Sequence, residues 1–149
     1  MFSGKFIIMT LAQYHYIFDK IPSQINDADV LNYLQKENIN SDYIKVFKTY
    51  TDFTDNLISD WLNISVKTFR SYKTGKQEIN INIKEHLLML MALSKHGENV
   101  FGNMEKFENW LLQKNYYFDN KAPVEFLDTI TGIRFVDNRL TAMEYGDNV

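Results

Sequence analysis

The sequence predicts an all-α fold. Three observations carry that prediction: apolar residues recur at helical spacing in successive segments from Asp27 to Tyr145, small polar residues stand where those segments need N-terminal caps, and the stretch Leu87 to Leu93 is apolar without a break. Spacing of three and four residues places apolar side chains on one face of a helix. Ser, Thr and Asn at the preceding position accept hydrogen bonds from backbone N–H groups that a first turn leaves unsatisfied.

Taken in order, residues 5–12 fit a short strand or a buried helical turn. The apolar run Phe6 to Ala12 is followed by Gln13-Tyr14-His15-Tyr16, which offers no small-residue cleavage site, so a signal peptide is not expected. Asn26, with Asp29 three residues on, resembles a helix start for Asp27 to Lys36, with Val30, Leu31 and Leu34 on one face. Asn38 to Ser41 reads as a break, with Ser41 as the cap of a second helix carrying Tyr43, Ile44 and Phe47. Thr54 caps a helix from Asp55 to Leu62, and Ser65 caps another running to about Lys73, with Gly75 as its stop.

Residues 83–96 form the most apolar helix, and a helix apolar nearly all round belongs at the centre of a fold. Gly97 and Gly102 are expected to bracket a short turn. Asn103 caps a helix that faces Phe107, Trp110 and Leu111 inward. Pro123 suits a first helical position ahead of Val124, Phe126 and Leu127. Thr131 and Gly132 are read as a further break, before a last helix to Tyr145 with Ile133, Val136, Leu140 and Met143 as its apolar stripe.

Composition narrows the function. A chain that is 45% hydrophobic and 23% charged is globular rather than disordered, and its eleven Phe and nine Tyr supply the buried area a small core needs. The absence of cysteine excludes disulfides, thiol catalysis and Cys-based zinc sites, and fits a reducing cytoplasm. No segment approaches the roughly 20 apolar residues that span a bilayer. His15, His86 and His96 form no metal-ligand pattern. His96, placed before Gly97, reads as a histidine at a helix C-terminus, where the dipole favours it without any function. There is no Gly-rich phosphate loop and no nucleophile elbow, so neither an enzyme nor a cofactor or metal is expected.

Asp55 to Thr74 has the spacing of a helix-turn-helix. Ser59 is the small residue where the second helix crosses the first, Leu62 and Ile64 flank the turn, Asn63 tolerates its left-handed position, and Phe69 and Tyr72 anchor the second helix. Ser65, Lys67, Arg70, Ser71, Lys73 and Thr74 then point outward as donors for phosphates and base edges, with Arg70 and then Lys67 best placed to read a guanine. The same residues equally suit the solvated face of a surface helix. The formal charge of −3, and a nearly neutral balance over residues 41–86, imply that DNA binding needs a dimer or a larger assembly.

From Ala92 to Gly146 the chain resembles the C-terminal toxin-binding domain of the Xre/MbcA/ParS antitoxins. The residues that carry the resemblance are Ala92, Phe101-Gly102, Lys106-Phe107, Trp110-Leu111, Asn115, Pro123, Leu127-Asp128-Thr129, Gly132, Val136, Leu140 and Glu144-Tyr145-Gly146. In that family an Xre-like helix-turn-helix precedes the domain, as residues 55–74 do here. The resemblance implies three parts: an N-terminal segment of unassigned role (1–40), a helix-turn-helix DNA-binding and dimerisation domain (41–82), and a helical toxin-binding domain (83–149).

It further implies a cytoplasmic, non-catalytic antitoxin of a type II toxin–antitoxin pair. Such an antitoxin dimerises, covers the active site of a RES-domain, NAD-consuming toxin, and represses its own operon by binding operator DNA. Arg139, Glu144, Tyr145 and Gly146 are the toxin-facing residues this implies. Family members carry two glycines where this chain has Asp119 and Asn120, which also tolerate left-handed backbone. They carry an Arg where this chain has Ala142, a role that falls to Arg139 on the same helical face. They often end in an apolar tail, where this chain has Asp147-Asn148-Val149. The other reading is a stand-alone helix-turn-helix regulator whose C-terminal domain only dimerises.

Overall fold

In the computed structural model the described residues, 9–146, form eight α-helices, with no β-strand among them. The order is α1 (Leu11–Lys20), α2 (Asp27–Lys36), α3 (Ser41–Tyr50), α4 (Asp55–Leu62), α5 (Val66–Lys73), α6 (Ile81–Phe101), α7 (Met104–Leu112) and α8 (Ile130–Glu144). Two 3-10 turns, Tyr116–Phe118 and Pro123–Phe126, join α7 to α8. No helix among the described residues is long and apolar enough to cross a membrane.

Caps set most of the boundaries. The side chains of Asn26, Thr54, Ser65 and Asn103 each accept backbone hydrogen bonds in the first turn of the helix they precede. The third helix is capped by Asn40 rather than Ser41, because its longer side chain reaches the Asp42 amide. At the N-terminus Thr10 and Gln13 form a reciprocal capping box, so the described part of residues 5–12 is a helix start and not a strand; residues 5–8 lie outside the described residues. Of the expected face, Val30 is buried and Leu34 packs against the core, but Leu31 is 60% exposed and Tyr33 turns inward, sharing a 2.8 Å hydroxyl hydrogen bond with Tyr43.

The central element is α6, which packs against α2, α4, α7 and α8. Its run from His86 to Ser94 is fully buried, as its uninterrupted apolarity requires. Two expected breaks are not breaks. Gly97 lies inside α6, where a Cβ would stand 2.2 Å from the Phe107 ring, so glycine here permits close approach of α7 and does not end the helix. Gly132 lies in the first turn of α8, donating to the Thr129 cap at 2.9 Å, and a Cβ there would meet the Phe126 carbonyl oxygen. The left-handed Gly102 is where α6 ends. Side-chain ties complete the assembly: Lys95 Nζ donates to the Phe18 and Ile21 carbonyls at the end of α1, and Arg134 of α8 pairs with Asp27 of α2.

Candidate functional site

The C-terminal helices are held by a continuous run of aromatic rings. Phe101 meets Trp110 at 5.5 Å, Trp110 meets Phe118 at 5.8 Å, and Phe118 meets Phe126 at 5.6 Å and Phe135 at 5.3 Å. The run begins in the core and emerges on α8, where Phe135 is 47% exposed. Beside it the first 3-10 turn displays Tyr116 and Tyr117, shaped by Asp119 and Asn120, which both adopt the left-handed backbone at φ 58° and 61°. The Arg139 guanidinium lies 3.4 Å above the Tyr117 ring centroid, a stacked cation–π contact. On α8, Phe135, Arg139 and Ala142 follow one another at helical spacing towards Tyr145, whose ring is exposed. Exposed large apolar side chains grouped in this way mark a contact surface.

Glu144 is placed differently from Tyr145. Its carboxylate accepts a 2.5 Å hydrogen bond from His96 Nε2, while His96 Nδ1 donates to Asp137 Oδ1 at 2.6 Å. Burial alone would push the His96 pKa down; hydrogen bonds and charge from Asp137 and Glu144 more than offset it and hold the pKa above its ordinary value. His96 is therefore no bystander at a helix end, as its position before Gly97 suggested. It sits five residues inside α6 and bolts the last turns of α8 to it. Gly146, at φ 97°, follows Tyr145 as the chain leaves the helix.

Sequence reasoning missed Asp137, Tyr116, Tyr117 and Phe135. Asp137 was detectable: it lies on the inward stripe of α8 with Ile133 and Leu140, and Glu144 follows it by seven residues, two turns along the same face. A carboxylate on a core-facing stripe requires a partner. Tyr116 and Tyr117 were hidden because surface aromatics at turns carry no period, and Phe135 because it lies off the inward stripe of α8.

The helix-turn-helix segment has the expected internal geometry. Ser59 is buried at the crossing, and Asn63 takes the left-handed position at φ 57°, with the Ile64 amide donating back to the Ser59 carbonyl at 3.1 Å. Phe69 and Tyr72 are buried, while Lys67, Arg70 and Thr74 are exposed and Ser71 and Lys73 half-buried. Several expected donors already have intramolecular partners. Ser65 caps α5, Thr74 Oγ1 donates to the Arg70 carbonyl, and Arg70 and Lys73 approach Asp55 Oδ2 at 3.5 and 2.6 Å. The turn is also tied to the C-terminal helices: Asn63 Nδ2 donates to the Asp128 carbonyl at 2.9 Å, and His86 Nε2 donates to the Leu127 carbonyl at 2.9 Å.

No group of three or more His, Asp or Glu side chains among the described residues is arranged to hold a metal ion. A comparison with curated proteins finds no match. Residues 96–146 do match a family model, that of the antitoxin Xre/MbcA/ParS C-terminal toxin-binding domain. The matched stretch opens on His96 and closes on Gly146, so it contains the ion-paired bolt, the aromatic run and the exposed face of α8. Over residues 96–146 the chain is thus similar to the toxin-binding domain of the Xre/MbcA/ParS antitoxins.

Proposed function

We propose that this protein neutralises a cognate toxin by docking the exposed face formed by Tyr116, Tyr117, Phe135, Arg139 and Tyr145 over the toxin's active site. The observation that carries the reading is the coincidence of the matched toxin-binding domain with an aromatic surface grouped around a stacked arginine. Tyr and Arg are the residue types that dominate binding energy at protein interfaces, since they bury large area with few rotatable bonds. Arg139 supplies the cation that Ala142 does not, and Glu144 acts by orienting the helix end beside Tyr145. The toxin is a RES-domain enzyme that consumes NAD, and the antitoxin, as a cytoplasmic homodimer within the larger complex, represses its own operon. Residues 41–82 are the DNA-binding unit, with Ser65, Lys67, Arg70, Ser71, Lys73 and Thr74 as donors to phosphates and base edges. Residues 83–149 are the toxin-binding unit, and the role of residues 1–40 is left open.

The experiment is capture of the tagged chain from its native host with identification of what co-purifies. A stoichiometric protein encoded beside it, toxic alone and harmless when co-produced, is the expected result. Recovery of the chain alone, with DNA binding intact, would replace this reading by that of a stand-alone regulator.

A further inference from the structure

Asp55 is the first residue of α4, and three cations from two other helices converge on it. Lys48 of α3 stands 3.0 Å from Oδ1, and Lys73 and Arg70 of α5 stand 2.6 and 3.5 Å from Oδ2. One carboxylate needs one cation; here three positive charges face one negative charge. The four side chains line an open cleft together with Thr54 and Asn56. The Arg70 side chain is 62% exposed, so the surplus charge faces solvent rather than the core. A net positive cleft is notable on a chain whose formal charge is −3. Two of its three cations, Arg70 and Lys73, lie on the helix that the proposed function turns towards DNA.

We propose that Asp55 is a built-in phosphate surrogate: it occupies, with its own carboxylate, a site where Lys48, Arg70 and Lys73 take the phosphate backbone of duplex DNA, and so keeps the intrinsic DNA affinity of the helix-turn-helix low. The proposal rests on the DNA-binding part of the proposed function. A carboxylate and a phosphate oxygen accept the same charge-assisted hydrogen bonds, so each competes for the same N–H donors. To bind DNA the cluster exchanges one anion for another, and the gain is smaller than three free cations would give. Tight binding then requires several copies of the site on one duplex, which supplies a physical reason for operator binding by an assembly rather than by a single chain.

The surrogate reading and a purely structural reading of Asp55 predict opposite signs. The test is fluorescence anisotropy of the full chain with a random-sequence 30-base-pair duplex, titrated at stepped salt, for the parent, Asp55→Asn and Asp60→Asn. Asp60 removes the same charge from an exposed position on the same helix and makes no ion pair among the described residues. Each additional phosphate contact steepens the slope of log K against log salt by about 0.9, which is about eight-fold in affinity at 0.1 M salt. Asp55→Asn is expected to bind tighter by about that factor with a slope steeper by about 1, and Asp60→Asn to change little. Unchanged or weaker binding by a folded Asp55→Asn, or an equal gain from Asp60→Asn, overturns the proposal while leaving DNA binding itself standing. Absence of salt-dependent binding by parent and variants alike removes the DNA reading and the surrogate with it. If Asp55→Asn does not fold, Asp55→Ser is read the same way; if neither folds, Asp55 is a structural staple and the proposal falls.

Discussion

Replacing His96 by Gln tests whether the ion-paired bolt holds the end of α8 that the proposed function turns towards the toxin. The imidazole is 1% exposed and Asp137 6%, whereas the Glu144 side chain is 35% exposed, so the consequences fall mainly on Asp137. Removing one member of a buried ion pair costs about 3–5 kcal/mol, because the remaining charge stays desolvated. Gln retains one N–H donor for the Asp137 carboxylate, so the lower end, about 3 kcal/mol, is expected. At about 2–4 °C per kcal/mol for a chain of this size, the melting temperature falls by about 6–12 °C. The pH dependence is more discriminating. The pKa of His96 is raised above that of an unfolded histidine, so its stabilising share is complete below about pH 6.5 and is lost as pH rises through the folded pKa. Urea denaturation of parent and variant, followed by tryptophan fluorescence from pH 6 upward, should give a stability difference that is greatest near pH 6 and shrinks with rising pH. The titration of His86 is common to both proteins and cancels in the difference. A difference that is flat or grows with pH would refute the assignment of a protonated His96.

Gly97→Ala should destabilise, although alanine favours a helix interior by about 1 kcal/mol over glycine. Its Cβ would enter the Phe107 ring at 2.2 Å, and overpacking of about 1–3 kcal/mol outweighs the gain, so thermal melting moves down in the parent but not in a Phe107→Leu background. Arg139→Ala and Phe135→Ala should each weaken toxin binding about ten- to a hundred-fold by titration calorimetry, whereas Lys67→Gln with Arg70→Gln should leave protection of toxin-producing cells intact. Retained inhibition by Arg139→Ala would remove that residue from the interface. His86 has the opposite pH signature to His96: burial lowers its pKa despite the Leu127 carbonyl, so its stabilising share is present above about pH 6.5 and lost on acidification. In His86→Gln that acid-side loss should disappear from melting curves recorded between pH 7 and 5.

What the sequence disclosed, and what it hid, follows from the range of the forces involved. Caps are local, so Thr54, Ser65 and Asn103 announced their helices, and the helix-turn-helix could be placed from Ser59, Asn63, Phe69 and Tyr72. The same locality misled at the glycines. Gly97 and Gly132 look like punctuation, but each stands where another segment crosses too closely for a Cβ, a fact set by the ring of Phe107 and the carbonyl of Phe126. Ser41 lost its capping role to Asn40 by one residue, which is the ordinary uncertainty where two capping types are adjacent. The partnership of His96 with Asp137 and Glu144 spans more than forty positions, beyond the reach of any periodicity. For the candidate site, family likeness pointed to the C-terminal helices, whereas the Tyr117 platform under Arg139 became visible only in the fold.

The buried trio also bears on how such a surface binds. A histidine between two carboxylates is a poor way to gain stability, since apolar residues of similar volume in such places are often neutral or stabilising. What it supplies is direction: two short hydrogen bonds fix the end of α8 at a defined rotation on α6, and the Tyr145 ring leaves the helix from that point. Arg139 is held likewise, by the face of Tyr117. An interface whose aromatic and cationic groups are already ordered loses less conformational entropy on docking, and the saving appears directly as affinity. The packing of α6 between α4 and α8 carries this order further into the fold. Through Asn63 and His86, the segment at Leu127 and Asp128 that precedes α8 is fastened to the helix-turn-helix and the central helix alike. The face that the proposed function turns towards the toxin is thus tied through these contacts to the central helix beneath it.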